Sequence, residues 1–216
     1  MKKKLLIFDL DGTLYELEGG SYNNSLLKKT VLANAKKYLI NKLEIEESEA
    51  QKKLDSIINN YDENISLGFE KKFNLDRYDY FNVVWNISAN NIVKSDYDLH
   101  ELLNPLTSNY NFALVSDAAD IWINNVLEEL KIKDLFVNNI FSGEGNRRKG
   151  FGNAFKNIIT NLNIKPENCI SIGDQEYSDI IPAQELGMKT IFVHPTKKSE
   201  KADVNIKSIK ELPQVI

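Results

Sequence analysis

Residues 5–14 are Leu5-Leu6-Ile7-Phe8-Asp9-Leu10-Asp11-Gly12-Thr13-Leu14, a short apolar run that ends in two acids and a glycine. A run of this length predicts a buried strand, and it is too short for a signal peptide or a membrane helix. Two carboxylates that face one way at a strand end repel each other unless a cation lies between them. Oxygen donors suit Mg²⁺. For an isolated motif of this kind, an aspartate that only caps the next helix is the ordinary alternative.

A second predicted strand end repeats this arrangement. Ser171-Ile172-Gly173-Asp174 places an aspartate directly after an apolar strand, and Asp179 follows five residues later. Asp179 is predicted near a helix start, where capping of amides and participation in a metal site are both open. Asp174 needs a counter-charge, because an ionised carboxylate next to a buried strand is costly. Two such strand ends in one parallel sheet meet at the same crevice.

Two further loops carry polar groups that suit a phosphate. Ser116 ends the predicted strand Phe112–Val115, where a hydroxyl either forms the turn or donates a hydrogen bond to a phosphoryl oxygen. Asp117, which follows it, adds negative charge and must therefore be paired or turned away. Arg147-Arg148-Lys149 forms a basic loop. At least two of these cations are expected to be solvated, and one, Lys149 or Arg148, to neutralise a transferring phosphoryl group.

The order of strands and helices predicts an α/β protein with a three-layer, Rossmann-like parallel sheet. Helical apolar spacing is found between the later strands, at Ile121–Leu130 and Ala154–Leu162. Val204–Ile206 is predicted to be an edge strand. The remaining predicted strands are Leu5–Phe8, Phe112–Val115, Asn139–Phe141, Cys169–Ile172 and Thr190–Val193.

The strand rhythm stops between residues 16 and 94, which predicts an inserted α-helical cap. Helices are expected at Leu26–Asn41, Glu47–Asn60 and Tyr78–Ser88, with a polar break before the third, and Gly19-Gly20 is a candidate hinge. The catalytic core is then formed by residues 1–15 and 95–216. Aromatic residues near or in the cap either form its own core or, for one or two of them, face the crevice and stack on a base. They are Tyr15, Tyr22, Phe69, Phe73, Tyr78, Tyr80, Phe81 and Trp85.

The composition limits the classes of partner. The 216 residues carry a formal net charge of −4 and a pI near 5.4, so nucleic acid polymers and anionic membranes are not expected partners. The single cysteine, Cys169, excludes an internal disulfide framework and fits a cytoplasmic location. No stretch is long and apolar enough to predict a membrane span. A monomer or homodimer is expected.

These four motifs, in this order, resemble the haloacid dehalogenase superfamily of phosphohydrolases. Residues 9–14 are similar to its first motif, Ser116 to its second, Lys149 to its third, and Gly173-Asp174 with Asp179 to its fourth. The resemblance implies that Asp9 attacks phosphorus and forms an aspartyl phosphate. Asp11 would then protonate the leaving oxygen and later activate water.

The resemblance also implies the remaining roles. Ser116 and Lys149 would bind the phosphoryl oxygens. The cofactor would be Mg²⁺, with Asp11 contributing its backbone carbonyl and Asp179 supporting the shell. The implied metal-site residues are Asp9, Asp11, Asp174 and Asp179.

Within this superfamily, Thr13-Leu14-Tyr15, the helical insertion and residues 92–99 resemble the pyrimidine 5′-nucleotidase branch. The resemblance therefore implies a Mg²⁺-dependent phosphatase of small phosphomonoesters, with pyrimidine nucleoside monophosphates as the first substrate class. Sugar phosphates or phosphoglycolate as substrates, and a phosphomutase of the same superfamily, remain open. A non-catalytic phosphate-binding protein is disfavoured, since it would seldom keep Asp9, Asp11, Lys149 and Asp174 together. A dinucleotide-binding enzyme is set aside, because it would require a glycine-rich loop where the first strand is instead followed by Asp9-Leu10-Asp11-Gly12.

Overall fold

A computed structural model describes residues 3–61, 64–144, 149 and 153–216. Six strands form one parallel sheet in the order β3-β2-β1-β4-β5-β6. The strands are β1 Lys4–Phe8, β2 Tyr110–Val115, β3 Ile140–Phe141, β4 Cys169–Gly173, β5 Lys189–Val193 and β6 Val204–Ile206. The predicted α/β class is confirmed, and β6 lies at the predicted edge.

Helices cover both faces of this sheet because side chains alternate along each strand. In β1, Leu6 and Phe8 face one apolar cluster, whereas Leu5 and Ile7 face the other. Helices α5 Leu99–Leu103 and α6 Asp120–Glu129 pack on the first face. Helices α7 Asn153–Asn161 and α8 Ile181–Glu185 pack on the second. These four of the five β1 side chains are at most 1% exposed, and each such burial contributes roughly 1.5 to 3 kcal/mol.

The described residues between 16 and 94 form helical elements and turns. The helices are α1 Leu26–Leu43, α2 Glu47–Asn60, α3 Ile65–Phe73 and α4 Arg77–Val84. Helix α3 occupies part of the predicted polar break. The helix predicted over Tyr78–Ser88 ends at Val84, whose carbonyl accepts a hydrogen bond from Asn34 of α1 at 3.0 Å. A tertiary contact thus satisfies the last carbonyl of the helix.

Most of the aromatic residues in these helices form internal packing. Tyr38 stacks on Phe69 with 6.1 Å between ring centroids, and Tyr80 meets both rings edge-on. Tyr78, by contrast, is 60% exposed. The division into a core of residues 1–15 and 95–216 and a cap of residues 16–94 remains a prediction. Among the described helices, none is long and apolar enough to cross a bilayer.

Candidate active site

The central position of β1 determines where the polar loops meet. β1 pairs with β2 on one side and with β4 on the other, and Phe8 is in register with both Leu114 and Ile172. The three strands therefore end at the same edge of the sheet. The loops after them carry Asp9, Ser116 and Asp174. Ligands of open parallel sheets bind in this type of crevice, where the chain connections diverge to opposite sides.

Asp9 is buried at the bottom of this crevice and is held by three contacts. Its backbone N–H donates to the carbonyl of Ile172 at 2.9 Å. The hydroxyl of Thr13 donates to Asp9 Oδ2 at 2.8 Å, and the ammonium group of Lys149 lies 2.6 Å from Asp9 Oδ1. Only 4% of the Asp9 surface is exposed. The carboxylate is thus fixed in orientation and directly neutralised.

Lys149 connects Asp9 with Asp179. Its Nζ atom lies 2.6 Å from Asp179 Oδ1 as well as from Asp9 Oδ1, and Lys149 is only 3% exposed. Burial alone would lower the pKa of Lys149, but the charges of Asp179 and Asp9 outweigh it and hold this pKa well above its usual value. Lys149 is therefore charged. Arg147 and Arg148 lie outside the described residues.

The loop that carries Lys149 is fixed by Asp117. Asp117 Oδ1 accepts the backbone N–H of Lys149 at 2.7 Å, which is the pairing that the sequence requires for this extra acid. Ser116 is 3% exposed, and its Oγ atom accepts the backbone N–H of Ala118 at 3.1 Å. Among the described residues, none accepts the Ser116 hydroxyl proton, which leaves it available for donation. Both explanations considered for Ser116, a turn residue and a phosphate donor, are compatible with this geometry.

Asp9, Asp174 and Asp179 form a cluster of acids. Each offers a carboxylate oxygen within 4.8 Å of the other two. Among the described side chains, Asp174 Oδ1 is a buried oxygen without a hydrogen-bond donor. Burial and then the charges of Asp9 and Asp179 raise the pKa of Asp174. A hard divalent cation such as Mg²⁺ fits this set of oxygen donors, because it would satisfy the orphaned oxygen and offset the repulsion.

Asp179 differs from Asp174 in its surroundings. It lies in a π-helical turn, Glu176–Ile180, and does not cap the helix that follows. Its Oδ1 atom binds Lys149, and its Oδ2 atom accepts the backbone N–H of Gln175 at 3.0 Å. Burial raises the pKa of Asp179, although Lys149 opposes this shift. Both carboxylate oxygens of Asp179 have partners, as those of Asp9 do, and the supporting position of Asp179 in a metal site stays a prediction.

Asp11 does not belong to the cluster of three acids among the described residues. Its Oδ1 atom accepts hydrogen bonds from the hydroxyl of Tyr15 and, at 2.9 Å, from the indole N–H of Trp122. Burial raises the pKa of Asp11 to about 6, and the two donors moderate this shift. The side chain lines the same crevice as Asp9. The predicted contact of the Asp11 backbone carbonyl with a metal stays a prediction.

Sequence reasoning missed several of these partners. Thr13 offered a weak signal, a hydroxyl four residues after Asp9 at the end of the motif. Trp122 offered none, because it reaches Asp11 across 111 positions. Ser171 also contributes, since its hydroxyl donates to the Asp179 carbonyl at 2.8 Å and holds the turn against β4. Gly173 allows this approach, because a Cβ atom there would collide with the Asp179 side chain.

Side chains of the helical segment line the upper wall of the crevice, whose volume is about 150 Å³. Tyr22, Tyr80, Phe81 and Trp85 contribute aromatic surface. The other apolar residues that the helices add to this wall come from α1, α2 and α3. Four of the eight candidate aromatic residues, including Tyr80, thus line the crevice. Phe69 belongs to the packing within the helices.

An acidic cluster with one buried lysine, at the carboxyl edge of a parallel sheet and beneath a helical wall, defines a hydrolase site of the type that acts on phosphate esters. The haloacid dehalogenase-like hydrolase family matches residues 6–193 of this chain. The chain belongs to that family, and the predicted superfamily is confirmed.

Relatives and solved structures agree with this assignment. A glyceraldehyde 3-phosphate phosphatase of Pyrococcus furiosus is 28% identical over 99% of this chain and 91% of its own length. A protein of the same name from Methanocaldococcus jannaschii is 27% identical over 99% of this chain and 96% of its own length. The enzyme class predicted from the sequence, a hydrolase of phosphoric monoesters, is confirmed by the family and these phosphatase relatives.

The fold is shared with solved structures of lower identity. A HAD phosphatase from Thermococcus onnurineus superimposes with a TM-score of 0.68 at 20% identity, over 98% of this chain and 97% of its own. A 2-haloacid dehalogenase from Pseudomonas syringae gives the same TM-score at 18% identity, over 99% and 98% of the two chains. Both similarities concern the fold alone.

Proposed function

We propose that this protein is a Mg²⁺-dependent phosphatase of small sugar phosphates, of the glyceraldehyde 3-phosphate type, that acts through an aspartyl phosphate on Asp9. The observation that carries the substrate class is the similarity over 99% of the chain to two archaeal glyceraldehyde 3-phosphate phosphatases. The sequence put pyrimidine nucleotides first and sugar phosphates second, and the names of the relatives support the opposite order.

The first chemical step would be attack by an Asp9 carboxylate oxygen on phosphorus. Thr13 fixes the orientation of this carboxylate, and Lys149 lies 2.6 Å from its other oxygen, where the phosphoryl group would be attached. Lys149 and the Ser116 hydroxyl would bind the phosphoryl oxygens. Positioned charges and donors of this kind stabilise the charge of a transferring phosphoryl group without rearrangement.

Asp11 would donate a proton in the first step and accept one in the second. In the first step the P–O bond of the ester breaks, the bond between Asp9 and phosphorus forms, and Asp11 gives its proton to the leaving oxygen. In the second step water attacks phosphorus, Asp11 takes a proton from that water, and Asp9 departs as a carboxylate. A pKa of about 6 for Asp11 suits a group that must first donate and then accept a proton.

Mg²⁺ would be held by Asp9, Asp174 and the Asp11 carbonyl, with Asp179 behind them. When bound, the ion supplies Lewis-acid stabilisation of the phosphoryl oxygens. The orphaned Asp174 Oδ1 supports this assignment, because a buried carboxylate oxygen without a donor is costly. The acidic crevice would repel a phosphate dianion without such an ion.

The size of the crevice supports a small substrate. Its volume of about 150 Å³ compares with that of a cavity that holds one benzene molecule. A three-carbon sugar phosphate places few atoms beyond its phosphoryl group, whereas a nucleotide adds a ribose and a base. Pyrimidine nucleotides remain a second candidate, favoured by Tyr22 and Trp85 in the wall, on which a base could stack.

The proposal is tested by measuring phosphate release from a matched panel of esters with Mg²⁺ and with EDTA. The panel contains glyceraldehyde 3-phosphate, glycerol 3-phosphate, phosphoglycolate, UMP and CMP. Spontaneous loss of phosphate from the aldehyde is subtracted with an Asp9→Asn control. We expect kcat/KM for glyceraldehyde 3-phosphate to exceed that for UMP and CMP at least tenfold, and no turnover in chelator.

A higher kcat/KM for UMP and CMP than for glyceraldehyde 3-phosphate would support the nucleotidase. In that case, Trp85→Ala should lower kcat/KM for UMP more than for p-nitrophenyl phosphate. Transfer of phosphate within a sugar without release of inorganic phosphate would indicate a phosphomutase. A cytoplasmic location and a monomeric or homodimeric state are part of the same proposal.

A further inference from the structure

Asp11 is held by two buried aromatic donors that come from different parts of the fold. The Tyr15 hydroxyl and the Trp122 indole N–H both donate to Asp11 Oδ1. Tyr15 is 3% exposed and Trp122 is fully buried. Tyr15 follows Asp11 by four residues in the same loop, whereas Trp122 belongs to α6, which begins at Asp120. The carboxylate is therefore fixed from two independent elements.

The two carboxylate oxygens of Asp11 differ in their hydrogen bonds. An indole N–H can only donate, and a buried one needs an acceptor, so the contact orients both Trp122 and the carboxylate. Both donors use Oδ1, and no donor in the described part of the chain contacts Oδ2, so Oδ2 is the oxygen that remains for exchange of a proton. Trp122 itself packs in the main apolar cluster beside Ile123 and Val126 of its own helix, so its position is set by the core of the fold.

We propose that Tyr15 and Trp122 are positioning residues that hold Asp11 so that Oδ2 meets the leaving oxygen of the substrate. This inference rests on the proposed function, in which Asp11 is the proton donor of the first step. The proton passes from Oδ2 to the oxygen whose bond to phosphorus breaks, and neither aromatic residue gains or loses a proton. A misplaced donor would slow only those esters whose leaving group needs protonation.

The test uses two esters with leaving groups of different basicity. The parameter kcat/KM reports the steps up to departure of the leaving group, so hydrolysis of the phosphoenzyme does not enter it. The leaving group of p-nitrophenyl phosphate departs without protonation, whereas that of glycerol 3-phosphate requires it. In Trp122→Phe and in Tyr15→Phe, we expect kcat/KM for glycerol 3-phosphate to fall about ten- to a hundredfold. The loss for the aryl ester should be at least tenfold smaller.

Tyr38→Phe is the matched control. Tyr38 is 2% exposed, and its hydroxyl donates to Asp79 at 2.7 Å, in the helical segment and outside the crevice lining. Its removal should leave the ratio of the two kcat/KM values unchanged. Equal losses for both esters in the Trp122 and Tyr15 variants, or no loss, would overturn the inference. The two substitutions are independent, and a variant that does not fold leaves the decision to the other.

Asp11→Asn separates this inference from the proposed function. A large, ester-dependent loss in Asp11→Asn together with unchanged ratios in the aromatic variants would refute only the positioning role. Full activity of Asp11→Asn on both esters would instead refute the proposed mechanism. Ester-dependent losses in all three variants are the expected result.

Discussion

Mg²⁺ should stabilise the folded protein, and Asp174 should account for most of that effect. Asp9, Asp174 and Asp179 place carboxylate oxygens within 4.8 Å of one another against one lysine, and Asp174 Oδ1 has no donor among the described groups. A cation that binds only the folded state at 100 times its dissociation constant contributes about 2.7 kcal/mol. For a chain of 216 residues this corresponds to a rise in Tm of roughly 5 to 11 °C.

Asp174→Asn should remove most of the stabilisation of the folded protein by Mg²⁺. The amide removes one negative charge from the cluster, so the metal-free variant should be at least as stable as the metal-free parent. Its rise in Tm with Mg²⁺ should shrink to less than about 2 °C. Because the folded protein raises the pKa of Asp174, it binds that proton more tightly than the unfolded chain does. In the metal-free protein, Asp174 therefore contributes most to the free energy of unfolding at low pH, and this contribution is lost as the pH rises through the raised pKa of Asp174.

The assay is thermal unfolding at constant ionic strength, with Mg²⁺ titrated against a matched concentration of KCl. Asp55→Asn provides a control, because Asp55 is exposed on α2 and lies outside the acidic cluster. The control should keep the full shift in Tm. A parent protein whose Tm does not respond to Mg²⁺, or an Asp174→Asn variant with an undiminished response, would refute the metal site.

Three further substitutions extend the account. Asp9→Asn should abolish phosphate release and leave the fold intact, because an amide cannot form the covalent intermediate; activity within tenfold of the parent would exclude Asp9 as the nucleophile. Asp179→Ala should reduce activity less than Asp174→Ala does, measured as kcat against Mg²⁺ concentration, whereas equal and complete losses would make both direct ligands. Gly12→Ala should lower stability and weaken Mg²⁺ binding, because φ is +89° there and the new Cβ would lie 2.5 Å from Asp174 Oδ2. Gly20→Ala is its control, because φ is +72° there but the new Cβ atom would have no described atom beyond the adjacent residues within 4 Å. Only the backbone cost, about 1 kcal/mol, should therefore appear in urea unfolding.

The sheet could be predicted because its strands are short apolar runs that end in polar turns. The six predicted strands agree with the observed ones to within two residues at each end, and the edge position of β6 is confirmed. The family followed from four motifs, each after its own strand. The catalytic and metal-binding roles of Asp9, Asp11, Ser116, Lys149, Asp174 and Asp179 stay predictions until the variants are measured.

The features that sequence reasoning missed depend on tertiary contacts. Gly68 lowers the helix propensity of the segment that became α3, yet a Cβ atom there would collide with Ile57 of α2. The glycine is therefore needed for the close packing of the two helices. The hydrogen bond from Trp122 to Asp11 and the double contact of Lys149 also join residues far apart in the chain. Local patterns carry no information about such pairs.

The most direct test of the central claim is to trap the covalent intermediate on Asp9. In Asp11→Asn, p-nitrophenyl phosphate should still phosphorylate the protein, because its leaving group needs no proton, while hydrolysis of the intermediate should be slow without the base. After an acid quench, mass spectrometry should find one added phosphoryl group on the peptide that contains Asp9, and none when Asp9 is also replaced by Asn. Continued release of phosphate with no phosphorylated peptide, or a phosphoryl group on another residue, would contradict the account.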